Sequence, residues 1–108
     1  MTINTNGRIN VTTPGTPVRL TTNHSVVANK LFFQAIPGLT GKTYVGVSSM
    51  SKSALSGVAR VLSPNPTGGF SETFLLEGQE GENSIHVADY AIDADVAGEG
   101  LLVTYWTA

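Results

Sequence analysis

The feature that most constrains this chain is its punctuation. Short β-forming runs are cut at close intervals by Gly, Pro and Asn, and no apolar pattern sustains a helical period. Elements that short cannot each hold a core. They must be layered, with alternate side chains of each strand turned toward a facing sheet.

Arg8 to Thr13 alternates strictly and reads as a half-buried strand, with Ile9 and Val11 inward. Pro14-Gly15 is a turn, and Pro17 to Thr21 alternates again with Val18 and Leu20 inward. Lys30 to Ile36 is apolar on both faces and predicts a central strand. Pro37-Gly38 ends it and Lys42 to Val47 returns, so residues 30–47 read as a hairpin. Ser48 to Ser56 is the one segment with helical character, at most one turn near 50–56. Gly57 to Leu62 is a strand, Ser63 to Gly69 a loop, and Phe70 to Leu76 a strand. Glu77 to Asn83 is an acidic, polar loop, followed by a short strand at Ile85 to Val87. Tyr90 to Asp95 and Leu101 to Trp106 read as a last hairpin across Val96 to Gly100. About eight short strands at this spacing predict an all-β fold, a compact antiparallel β-sandwich or jelly roll. Residues 1–108 make one domain, with the polar residues 1–7 expected as a flexible arm.

Charge is sparse and divided. Asp, Glu, Lys and Arg make up 13% of the 108 residues, against about 25% in an ordinary domain. Surfaces of that kind suit dry protein contacts, because few charges need desolvating. Every Lys and Arg lies between Arg8 and Arg60, and every acid lies from Glu72 to Glu99. Either the two halves interleave on folding, or the molecule presents a basic face and an acidic face to its neighbours. A net charge of −2 gives no reason to expect nucleic acid as a partner, and no apolar run is long enough to predict a membrane span. Residues 1–7 lack the basic start and apolar stretch of a signal peptide, so synthesis in the cytoplasm is expected.

Chemistry is thinly represented. The absence of Cys excludes disulfides, thiolate zinc sites and a cysteine nucleophile. His24 lies in a loop and His86 in a strand near Asp89. A Ser-His-Asp set can be written from Ser25 or Ser84, but no nucleophile elbow accompanies it. Asp93, Asp95 and Glu99 echo the start of a calcium loop. The fifth position is Ala97 and the final ligand position is Thr104, so the reading is an acidic turn, with Glu80 and Glu82 as further oxygen donors nearby. Pro64 to Gly69 lacks the Lys and Ser/Thr of a phosphate loop. No catalytic, cofactor or metal residue is therefore assigned. Phe32, Tyr44 and Trp106 fall opposite the inward positions and read as core or protein-interface aromatics, with a sugar-stacking face as the alternative. With Arg8, Arg19, Glu80 and Glu82 they are the candidate partner contacts.

Three stretches carry a resemblance. They are Thr16-Pro-Val-Arg-Leu-Thr, Leu31-Phe-Phe-Gln-Ala-Ile-Pro-Gly-Leu-Thr-Gly-Lys-Thr-Tyr-Val-Gly, and Tyr90-Ala-Ile-Asp-Ala-Asp-Val-Ala-Gly-Glu-Gly-Leu-Leu-Val-Thr-Tyr. Their order is similar to that of small decoration (cement) proteins on the heads of tailed bacteriophages. The resemblance implies a non-enzymatic virion structural protein on the outer capsid surface. It would bind between copies of the major capsid protein, stabilise the expanded shell and form a homo-oligomer, a dimer or trimer. A tail or receptor-binding component, and a small carbohydrate-binding β-sandwich module, are the alternatives.

Overall fold

The computed structural model describes residues 2–65, 67, 71–78 and 82–107, with the backbone alone for residues 2, 5 and 6. The strands are β1 (Thr2–Asn10), β2 (Val18–Arg19), β3 (Val27–Ala28), β4 (Lys30–Ala35), β5 (Thr43–Ser51), β6 (Ser56–Leu62), β7 (Thr73–Glu77), β8 (Ile85–His86), β9 (Tyr90–Ala94) and β10 (Gly100–Thr107). A 3-10 turn covers Val87–Asp89.

The pairing follows a single rule. β1 pairs with β10, β2 with β9, β3 with β8, β4 with β7 and β5 with β6, all antiparallel. The chain is thus one long antiparallel ribbon, doubled at the β5–β6 turn. Two further ladders, β10 with β4 and β5 with β9, wind the ribbon on itself. Two four-stranded sheets result, ordered β1-β10-β4-β7 and β2-β9-β5-β6, with β3-β8 as a small third sheet. This is the jelly-roll form of the β-sandwich.

Alternation places the core as the sequence predicts. Leu31, Phe33, Ala35, Leu101 and Val103 face inward from the first sheet, and Leu20, Val45, Leu62, Ile92 and Ala94 from the second. Val11, Ala28, Ile85 and Val87 close the layer between them. Phe33 stacks on Phe74 at 6.1 Å.

Four local expectations are corrected. Residues 30–47 are not a hairpin, because β4 and β5 lie in different sheets and pack face to face. The same holds for β9 and β10. An apolar run, a Gly turn and another apolar run look alike whether the turn joins neighbours or crosses the core. The expected arm is not separate, since Thr2 to Thr5 pair with Thr104 to Thr107 and extend β1. The expected helical turn at 50–56 is the tip of the one true hairpin, with Ser51 opposite Ser56. Phe70, the expected start of a strand, lies outside the described residues, and β7 begins at Thr73.

The β5–β6 hairpin folds back over its own sheet. Its register shifts so that Val47 to Met50 stand against Gly57 alone. A bulge of that kind bends a strand. Met50 comes to rest on Tyr44 and Ala91, flanked by Val58 and Val61, as a second small core on the outer face. Gly46 permits the bend, since a Cβ there would overlap the Gly57 carbonyl.

Leu55, at the hairpin tip, has φ +54° and is 60% exposed. An L-residue in this left-handed region carries a cost that glycine avoids. Leu55→Gly should therefore raise the unfolding free energy by about 1 kcal/mol in urea or thermal denaturation. A fall would mean that the side chain stabilises the fold.

Candidate contact surface

The ribbon rule settles where the charges go. Each first-half strand lies beside a second-half strand, so basic and acidic residues interleave. Lys52 Nζ lies 2.9 Å from Asp95 Oδ1, and Arg60 lies 3.7 Å from Glu72. Lys30 stands opposite Glu77 in the β4–β7 ladder. Among the described residues, these three contacts set bases of the first half beside acids of the second.

The acids at 93–99 each serve a separate structural contact. Asp93 is fully buried, and its Oδ1 accepts from the backbone N–H groups of Gly15 (3.0 Å) and Ala94 (2.8 Å). This fixes the Pro14-Gly15 turn against β9. Its Oδ2 is the one buried side-chain oxygen without a partner among the described residues. Asp95 accepts from Tyr44 Oη (3.0 Å) and from Lys52. The Lys52 bond holds the Asp95 carboxyl below its ordinary range, and the same bond raises the Lys52 ammonium. Burial, then the bond to Asp95, pushes the Tyr44 phenol up.

Glu99 clamps two crossovers together. Its carboxylate accepts from the Thr40 N–H (3.0 Å), the Thr40 hydroxyl (3.2 Å) and the Gly41 N–H (2.8 Å). The loop between β4 and β5 is thereby held on the loop between β9 and β10. Burial alone would raise this carboxyl, but the bonds from Thr40 and Gly41 outweigh it and the group sits below its ordinary value. Gly41 and Val96 are in close contact at the same junction, where a Cβ on Gly41 would meet Val96 Cγ2 at 2.7 Å. The Pro37-to-Lys42 and Asp95-to-Gly100 segments of the resemblance therefore hold the fold together. Among the described residues, no three His, Asp or Glu side chains converge to hold a metal ion.

The remaining candidates scatter. His86 is exposed on β8 opposite Val27, and it shares no hydrogen bond or ion pair with Asp89. Arg19 is exposed and donates to the Ala88 carbonyl at 2.9 Å. Glu82 is exposed, and Glu80 lies outside the described residues. The three aromatics do not share a face. Tyr44 is buried under Met50 on the second sheet, which corrects its place among the candidate partner contacts. Phe32 and Trp106 are partly exposed on the outer face of the first sheet, edge to face at 6.3 Å.

That outer face carries three of the six exposed large hydrophobics among the described residues. Directly opposed residues share a face, so the ladders give three rows across β1, β10, β4 and β7. They read Ile3, Trp106, Lys30, Glu77; then Thr104, Phe32, Leu75; then Arg8, Leu102, Gln34, Thr73. Ile3, Leu75 and Leu102 are 58%, 42% and 36% exposed. Spacing alone did not reveal this set, because its members come from four separate strands.

Glu99→Ala should cost about 1–3 kcal/mol, because it strands the Thr40 and Gly41 donors. Since the folded carboxyl sits below its unfolded value, its contribution is complete above the ordinary glutamate range. It is lost as pH falls through the folded pKa. Glu99→Gln should flatten the acid limb of a stability-versus-pH curve, and an unchanged limb would remove Glu99 from this role. No family model, curated protein or solved structure matches the chain.

Proposed function

We propose that this chain is a non-enzymatic virion protein that decorates the head of a tailed bacteriophage. In this reading it seats between copies of the major capsid protein on the outer surface and braces the expanded shell. The order of the three resembling stretches supports it. The jelly roll, common among viral capsid domains, adds support by fold analogy.

The observation that carries the reading is Leu55. A large apolar side chain stands 60% exposed at a hairpin tip, on backbone that disfavours it. Val47 is also exposed at the base of the same hairpin. Strained positions cluster where a protein meets a ligand or partner. A lattice presents the same seat many times, so a modest knob-in-pocket contact suffices at each.

The test is co-sedimentation of the purified protein with expanded shells, together with shell melting. Bound protein and a raised melting temperature are expected. Leu55→Gly should bind less well although its own fold is more stable. Protein that neither sediments with shells nor shifts their melting overturns the reading. Binding to whole host cells would indicate a tail component instead. Glycan binding lost on Trp106→Ala would indicate a carbohydrate module.

A further inference from the structure

We infer that the outer face of the β1-β10-β4-β7 sheet is a homodimer interface, in which two copies pack face to face with their strands crossed near 90°. The inference goes beyond the proposed attachment to shells and does not rest on it.

The two sheets treat their outer faces differently. The β5–β6 hairpin folds over the second sheet and buries Tyr44, Met50 and Ala91. The first sheet leaves Ile3, Leu75 and Leu102 exposed, with Phe32 and Trp106 partly so. Apolar surface joined across four strands marks a place where another surface sits.

The face is close to square. Three strand spacings of about 4.8 Å span roughly 14 Å from β1 to β7, and the step from Lys30 to Gln34 spans roughly 13 Å. Its corners are Ile3, Glu77, Thr73 and Arg8. Opposite charges occupy one diagonal, Glu77 at one end and Arg8 at the other. A two-fold axis along the other diagonal, from Ile3 to Thr73, lays one face on its copy. That operation exchanges the charged corners, so Arg8 of each copy meets Glu77 of its mate twice over. It also sets Leu75 against Leu102 of the mate and Phe32 near its own equivalent. In a square face this axis crosses the strands at a right angle, one of the two favoured ways for sheets to stack.

The charged ends are placed for this. Glu77 and Arg8 are both exposed, and the Arg8 guanidinium donates to Asn10 Oδ1 (2.5 Å) and the Gly98 carbonyl (3.1 Å). A guanidinium has five N–H donors, so others remain for a carboxylate. A dimer of this type is isologous and closes on itself.

The area sets the strength. Crossed at a right angle, two faces each four strands wide (about 19 Å) overlap over about 370 Å² per copy. Two copies cover on the order of 700 Å², below the size of standard specific interfaces, so the dimer is weak and reversible.

Sedimentation equilibrium of the purified protein from about 1 μM to about 1 mM tests this. A monomer–dimer equilibrium is expected. Arg8→Glu and Glu77→Arg should each raise the dissociation constant about tenfold, and the double reversal should restore it. Leu75→Lys, at an exposed mid-face position, should give monomer with the melting curve of a folded protein. If a charge reversal unfolds the chain, Leu75→Lys decides alone. A monomer at every concentration overturns the inference. So does a dimer indifferent to Leu75→Lys, or to both charge reversals in folded protein.

Discussion

Everything in this molecule depends on backbone pairing between its two halves. Buried N–H and C=O groups must find partners. Here nearly every strand of the first half finds them on a strand of the second. Among the described residues, β5 and β6 alone pair across a short turn. The two crossed ladders, β10 with β4 and β5 with β9, then close the ribbon into sheets and define the inner faces. The core, the charge mixing and the exposed face are consequences of that one arrangement.

Much of this was legible along the chain. Alternation gave Ile9, Val11, Val18 and Leu20 as inward positions, and the structure packs all four on the core. It gave Phe32 and Trp106 as outward positions, and both lie on the open face. What it did not give was connectivity. Pro37 to Lys42 and Val96 to Gly100 read as turns, and turns they are, but they cross between sheets. The ladders that distinguish a crossover from a hairpin, β10 with β4 and β5 with β9, join residues far apart in sequence. The β5–β6 hairpin was missed for a related reason. Its small polar residues around Ser48 to Ser56 suit a helical turn as well as a bulged strand.

Tyr44 shows the same limit for a single residue. Its strand position was read on the correct side of β5, facing away from the core. The bend at Gly46 then brings Met50 back over it, and Asp95 and Lys52 engage its hydroxyl and ring. A side chain read as outward becomes buried because the next residues double back. No periodicity argument contains that information.

The resembling segments turn out to be places where the fold is fastened. Glu99 and Gly41 join the crossovers, and Asp93 secures the turn at Gly15. In the function and dimer proposed above, partner contacts fall elsewhere, at the hairpin tip and on the open sheet. The nested ribbon also imposes an order in time. Because every pairing except β5 with β6 spans a long stretch of chain, loop-closure entropy must be met before those contacts form. Assembly should proceed slowly, outward from the central hairpin, with β1 and β10 the last to zip together.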